Sequence, residues 1–247
     1  SGLPRFQGNF VTGGAGLPQI AGRMEQPGDG GLELRLRIAE YAAGDAWLAV
    51  PDLTLRQGNN GALSFAGRAL AEGPLPGGFA RALELPLDGT YGADGTLALW
   101  QGCRSLRFAA LSAASLSLGR EAITLCPPPG RPILRYGAGG LQLAAGTRAL
   151  ALEGELAGRP LKLASGPVGL AWPGQMNARD VEMVLGAPDS AQRFRIARLD
   201  GELSPDGAAG TFDGADVMLA AVPLDIGGAG GEWRFAAGRL DLSESRF

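Results

Sequence analysis

Short runs in which apolar and polar residues strictly alternate constrain this chain more than any other feature of its sequence. The clearest run is Leu32–Ile38, where the even positions are apolar and the odd positions are charged. Because successive side chains of a β-strand point to opposite faces, this run predicts a strand with one apolar face and one water-facing side. Similar runs recur along the chain and predict about eighteen short strands.

Glycine is abundant inside these predicted strands as well as between them. The chain has 41 glycines in 247 residues, and the strand-like run Leu152–Leu156 is echoed by Leu199–Leu203 with glycine at its centre. A glycine within a strand weakens an isolated sheet but permits sharp coiling. We therefore expect an all-β fold: a long, curled, mostly antiparallel sheet that forms an extended apolar groove, with few or no helices.

Dipeptides of Asn or Asp with Gly mark the expected turns, because these residues accept a positive φ. The predicted turns are Asn59-Asn60-Gly61, Asp88-Gly89, Asp94-Gly95, Asp206-Gly207 and Asp213-Gly214.

The proline-rich segment Pro127–Pro132 is the one strong break in the pattern. We expect residues 1–247 to form a single repeat-like β-sheet fragment, with subregions 1–126 and 133–247 on either side of a proline-rich turn. We also expect the natural protein to extend beyond this piece in both directions.

Composition excludes several kinds of catalysis. The chain has no histidine, so a His-containing triad and His-ligated zinc are ruled out. Gly13–Gly16 lacks the Gly-Lys-Ser/Thr continuation of a phosphate loop. Lys162 with Ser165 does not form a Ser-x-x-Lys motif, and the spacing of Asp213 and Asp216 fits no calcium loop. The sequence indicates neither an enzyme nor a cofactor, and it offers no metal site.

The charge pattern and hydropathy argue against two classes of partner site. The net charge is −3, and the arginines are scattered rather than gathered into the basic face that a nucleic-acid binder needs. No stretch approaches the 18 or more apolar residues typical of a membrane-spanning helix.

Two cysteines, Cys103 and Cys126, permit one pairing. In an oxidising compartment a disulfide between them would close a loop worth about 3.5 kcal/mol in the chain-entropy model. Two buried free thiols, common in cytosolic proteins, are the alternative.

Several short segments of the chain resemble the YdbH-like branch of the AsmA-like superfamily. They are distributed along most of the chain: Gly16–Ala21, Tyr41–Pro51, Gly73–Gly78, Gly102–Phe108, Leu125–Pro127, Gly154–Leu163, Phe212–Ala215, Val222–Leu224 and Gly231–Leu240. The resemblance implies a central segment of a periplasmic bridge in Gram-negative bacteria, belonging to an inner-membrane-anchored protein. Such a bridge carries phospholipids or other membrane lipids along a β-groove between the inner and outer membranes, which it contacts through regions outside this segment.

The resemblance also bears on individual residues. A periplasmic setting implies the Cys103–Cys126 disulfide. The family supplies no residue-specific lipid site, so the groove lining is predicted from alternation. The expected lining residues are Leu32, Leu34, Leu36, Ile38, Leu83, Leu85, Leu141, Leu143, Leu161, Leu163, Val181, Met183 and Leu185.

Two other classes of protein fit the alternation. A β-solenoid or β-sandwich that serves as an adhesin or scaffold would bury these same residues in a closed core. A glycan-binding module would instead present exposed aromatic platforms, whereas the four tryptophans are scattered along the sequence.

Overall fold

The fold is built almost entirely of β-strands. The computed structural model describes residues 7–26, 31–58, 61–75, 77–219, 224–236 and 238–246. Within them lie 21 strands, one 3-10 turn at Pro188–Ser190, and no α-helix. The prediction of an all-β fold is confirmed. In the part of the chain that the structure describes, no helix is long and apolar enough to cross a membrane.

The strands are numbered in chain order. They are β1 (Gln7–Gly14), β2 (Leu17–Glu25), β3 (Leu32–Ala43), β4 (Ala46–Gln57), β5 (Leu63–Leu75), β6 (Gly78–Tyr91), β7 (Leu97–Leu99), β8 (Arg104–Phe108), β9 (Ala110–Ala113), β10 (Leu116–Leu118), β11 (Glu121–Leu125), β12 (Leu134–Gly137), β13 (Gly140–Thr147), β14 (Leu150–Leu156), β15 (Arg159–Ser165), β16 (Val168–Trp172), β17 (Gly174–Leu185), β18 (Gln192–Ser204), β19 (Gly207–Leu219), β20 (Leu224–Ala236) and β21 (Arg239–Arg246).

Contacts divide the chain into two compact units. The first comprises residues 1–113 and 120–141, and the second comprises residues 114–119 and 142–247. The proline-rich segment 127–132 therefore lies within the first unit.

The first unit is built on a meander of six long strands. Strands β1 to β6 each pair antiparallel with the next strand in the chain. Strand β6 then pairs along its length with β7, β8 and β9. Strands β11 and β12 return to pair with β8 and β7.

The second unit is a similar meander with a branched edge. Strands β17 to β21 pair antiparallel in chain order. The other edge of β17 pairs with β15 and β16 in succession. Beyond that branch, β15 pairs with β14 and β14 with β10, while β16 pairs with β13.

The turn predictions succeeded only in part. Asp94-Gly95 and Asp206-Gly207 do lie at hairpin connections, whereas Asn59-Asn60 lies outside the described residues. Asp88-Gly89 was wrongly predicted as a turn, because both residues lie inside β6. Asp213-Gly214 was also wrong: it lies inside β19, where Gly214 has a φ of 62° and the register shifts between Phe212 and Ala215.

At such a bulge the covered positions of a strand shift by one residue along the sequence. The same face of the sheet therefore stays apolar on both sides of the bulge. On β18 the partly covered side chains are Phe194 and Ile196 and then Leu199, with Ala197 and Arg198 both exposed between them. Gly214 lies beside this point, since a Cβ there would lie 2.8 Å from the Cβ of Ala197. A β-bulge of this kind bends a strand and re-aims its side chains.

Glycines also permit close approach of neighbouring strands. A Cβ on Gly210 would lie 2.0 Å from the carbonyl oxygen of Asp200 and 2.5 Å from the Cα of Gly201. Both obstacles are backbone atoms of the adjacent strand, so a side chain at Gly210 forces the two strands apart.

We predict that Gly210→Ala destabilises the second unit by about 1–3 kcal/mol, the usual cost of overpacking a site that cannot relax. Gly119→Ala is the matched control in the same unit, because no atom lies within 4 Å of its Cβ position. Urea unfolding followed by tryptophan fluorescence measures both changes. Equal stability of the two variants would contradict this account of Gly210.

Candidate functional site

The first unit presents a continuous apolar row across six strands. The register places one residue from each of β1 to β6 in this row: Phe10, Gly22, Leu36, Leu53, Gly67 and Leu87. The adjacent row is equally apolar and extends from β2 to β7 and then to β12: Met24, Leu34, Leu55, Phe65, Gly89, Leu99 and Leu134. These rows belong to one face, the first apolar face.

Six of the predicted lining residues lie on that face. Leu32, Leu34, Leu36 and Ile38 alternate along β3, and Leu83 and Leu85 precede Leu87 on β6 with the same alternation. Each of them is partly exposed rather than buried. Whether these residues line a lipid path stays a prediction.

The opposite face of the same strands is charged. Arg35 and Arg37 are exposed there, as expected from the alternation. Glu33 differs, since only 14% of its side chain is exposed. Arg35 Nε donates a hydrogen bond to one carboxylate oxygen at 2.7 Å, and Arg56 Nε donates to the other at 2.9 Å. These hydrogen bonds, from Arg35 first and Arg56 second, lower the pKa of Glu33 below its ordinary value.

The second unit repeats the arrangement with a different set of strands. One row crosses β14, β15, β17, β18, β19 and β20 and contains only large apolar residues: Leu152, Leu163, Met183, Phe194, Val217 and Ile226. Its neighbours on the outer face include Glu153, which contacts Lys162, and Glu182, which contacts Arg195. This second apolar face is therefore backed by charged residues.

Five of the predicted lining residues meet on the second apolar face. Leu161 is opposite Leu185, and Leu163 is opposite Met183. Val181 follows on the same side of β17, opposite Ile196 of β18.

The other two predicted lining residues lie on β13. Leu143 is opposite Trp172 of β16. Leu141 precedes the paired stretch of β13, and 43% of its surface is exposed.

Alternation along single strands did not identify several residues of both faces, including aromatic side chains. Phe10 covers Gly22, Phe65 covers Gly89 and Trp233 covers Gly201, so that a Cβ on any of these glycines would lie within 3 Å of the ring. Aromatic residues commonly shield glycine in this way on sheets. An aromatic ring that lies over a glycine of the neighbouring strand cannot be identified until the strand register is known.

The residues in the named rows of both apolar faces are partly covered, neither fully buried nor fully exposed. In the described ranges only ten apolar residues are buried, five of them alanine, and no large side chain is fully buried. The accessible surface of the chain is 15414 Å². Two separate globular domains sharing the same mass would together expose about 12,400 Å². The chain therefore exposes more surface than two well-packed domains of the same mass would.

The two cysteines are joined by a disulfide in the first unit. The bond links Cys103 and Cys126, which are 23 residues apart in sequence. Next to it, Arg104 donates two hydrogen bonds to the carboxylate of Asp88, at 2.5 and 2.6 Å, and they raise the pKa of Arg104. The predicted disulfide is confirmed, and the alternative of free thiols is wrong.

The described residues hold no group of three or more Cys, Asp or Glu side chains that could bind a metal ion. The named rows themselves consist of apolar residues and glycine, and the ion pairs described above lie on the opposite side.

Comparison with known families agrees with these features. A family model described as "YdbH-like: Intermembrane phospholipid transport protein YdbH" matches residues 2–247. The chain belongs to this family. No curated protein and no solved structure matches the chain.

Membership of the YdbH-like family has two direct consequences. It associates the chain with intermembrane phospholipid transport and therefore with lipid binding. Together with the disulfide, it indicates a location outside the cytoplasm, because disulfides persist in oxidising compartments such as the periplasm.

We predict that the free energy of unfolding of the double variant Cys103→Ser/Cys126→Ser is about 3.5 kcal/mol lower than that of the native chain, because the bond closes a loop across a 23-residue separation. Urea unfolding measures the difference. Alkylation of the native protein without reductant provides the control, since its mass should not change. Two alkylated thiols in protein from an oxidising compartment would contradict the bond.

A second prediction concerns the pH dependence of stability. A carboxyl group whose pKa is lowered on folding stabilises the protein above its ordinary value of 4.5 and loses that contribution as the pH falls through the lowered pKa. The loss of stability caused by Glu33→Gln should thus be larger at pH 7 than at pH 3. Glu40→Gln, an exposed position on the same strand, is the control. A pH-independent effect of Glu33→Gln would refute this role.

Proposed function

We propose that the two apolar faces carry the acyl chains of phospholipids, and that the chain is a periplasmic bridge segment between the inner and outer membranes. The observation that supports this proposal is an apolar row that crosses six strands in each unit and whose residues all keep part of their surface exposed. Family membership supplies the class of cargo.

The energetics of lipid transfer favour such a surface. Each methylene of an acyl chain that enters water costs about 0.8 kcal/mol, so the transfer of a sixteen-carbon tail into water costs about 12 kcal/mol. With strands about 4.8 Å apart, a six-strand row offers about 24 Å of apolar path. A tail that lies along such rows exchanges one apolar contact for the next and avoids most of that cost.

The side chains on the two faces suit a sliding cargo. Leucine is the commonest residue in the named rows, and the rings of Phe10, Phe65 and Trp233 lie over glycines. A surface of this kind offers contact along its length without a deep pocket that would hold one tail. Passive movement along it needs no catalytic residue, so we propose a non-enzymatic role.

The assembly around this segment is also part of the proposal. An inner-membrane anchor and the contacts with both membranes would be supplied by regions of the protein outside this chain. The chain itself would supply one stretch of the path.

The tryptophans disfavour a glycan-binding role. Trp100 donates its indole hydrogen to Pro86 O at 2.7 Å, and Trp233 donates to Asp200 O at 3.2 Å. Both rings are therefore committed to their own sheets, and Trp47 and Trp172 are partly covered.

The test uses photocrosslinking side chains on the two faces of each sheet. Probes at Leu36 and Met183 lie on the apolar faces, and probes at Arg37 and Arg193 lie on the exposed opposite faces. We expect the first pair to capture phospholipid in cells and the second pair to capture none. Equal capture by both pairs would contradict a one-sided lipid path.

A charge provides a second test. Leu36→Asp should exclude lipid locally, because an unpaired charge beside an acyl chain is strongly unfavourable. Arg37→Asp, on the exposed face, should change the unfolding free energy by about 0.5 kcal/mol or less and leave retained lipid unchanged. If Leu36→Asp unfolds the first unit outright, its apolar face is a sealed core and the proposal fails.

A further inference from the structure

The first apolar face ends in a row of different chemistry. This row, here called the tyrosine rim, takes one residue from each of β3, β4, β5, β6, β7 and β12. Its members are Leu32, Gln57, Leu63, Tyr91, Leu97 and Tyr136.

Apolar and hydrogen-bonding side chains alternate strictly along the tyrosine rim. Gln57, Tyr91 and Tyr136 occupy every second strand, so neighbouring polar groups are about 9.6 Å apart. The next row inward, from Leu34 to Leu134, contains only apolar residues and glycine. The rim therefore marks a boundary at which the face changes from apolar to amphipathic.

The two tyrosines of the rim expose much of their surface. Tyr91 is 46% and Tyr136 is 56% exposed. Tyr41 differs, because its hydroxyl donates a hydrogen bond to Gly16 O at 2.9 Å. The structure gives neither rim tyrosine a side-chain hydrogen bond to another described residue.

The Tyr91 hydroxyl lies at the end of the sheet rather than over its apolar rows. It is 3.8 Å from the Cβ position of Gly95, in the turn between β6 and β7. Asp94 in that turn accepts two hydrogen bonds from Thr96, one from its backbone N–H and one from its hydroxyl. The Tyr91 side chain is exposed and has no hydrogen bond to another described residue, so its hydroxyl is open to an acceptor outside the protein.

We propose that the tyrosine rim binds the phosphate group of glycerophospholipids while their acyl chains lie on the rows inside it. This inference rests on the proposed function and specifies which part of the lipid the protein recognises. Hydroxyl and amide groups donate hydrogen bonds to a phosphate diester, and a charged acceptor strengthens such bonds. Because these donors are neutral, the rim should bind zwitterionic and anionic phospholipids equally well.

The test compares lipids that differ only in the phosphate-containing group. The purified chain is incubated with vesicles containing equal amounts of phosphatidylethanolamine, phosphatidylglycerol and diacylglycerol with identical acyl chains, and retained lipid is quantified by mass spectrometry. We expect the native chain to retain both phospholipids in preference to diacylglycerol. Tyr91→Phe/Tyr136→Phe should reduce that preference about tenfold without changing the total acyl chain retained.

The control variant is Tyr41→Phe. It removes a hydroxyl of the same unit that already donates a hydrogen bond to Gly16 O. The preference for phospholipid should therefore not change. The double variant keeps both rings, and circular dichroism checks that it is folded.

The other outcomes overturn the inference in distinguishable ways. If the native chain retains no lipid, the proposed function fails and the rim with it. If the native chain retains lipid but the double variant still prefers phospholipid to diacylglycerol, the proposed function is supported and the rim does not bind phosphate. Equal loss of all three lipids in the double variant would show that the two hydroxyls support acyl-chain binding in general and do not select for the phosphate group.

Discussion

Each sheet of this protein must keep the apolar side chains of six or more strands on a single face. In a closed sandwich a second layer would cover that face, and small errors in alternation would be absorbed by the core. Here the register aligns one apolar side chain from each strand, as in the row from Leu152 to Ile226. A slip of one residue would turn a whole strand's apolar set toward the charged side. The register is therefore the constraint on which the face depends.

Bulges and glycines maintain that register as the sheets bend. Where the alternation changes phase on β18, exposed Ala197 and Arg198 lie beside Gly214, whose positive φ permits the adjustment on β19. Where strands approach closely, glycines such as Gly210 leave no room for a side chain. The rings of Phe10 and Trp233 lie over glycines of neighbouring strands, which keeps the apolar face flat.

The sequence predicted the fold class and much of the apolar face for one physical reason: alternation is a local property of a strand. Leu34 and Leu163 could therefore be assigned to apolar faces from their immediate neighbours. Asp88-Gly89 was wrongly predicted as a turn because Gly89 is needed for a different purpose, to leave space for Phe65 and Leu99. The ring-on-glycine pairs and the tyrosine rim depend on residues that are distant in sequence, so only the register brings them together.

The central proposal is that the acyl chains of phospholipids lie on these apolar faces. The most direct measurement is native mass spectrometry of the chain purified in mild conditions from a host with phospholipid membranes, with extraction and identification of what it retains. The account predicts folded protein with one or more phospholipid molecules bound. Folded, monomeric protein that retains no phospholipid, and takes up none when mixed with vesicles, would contradict it.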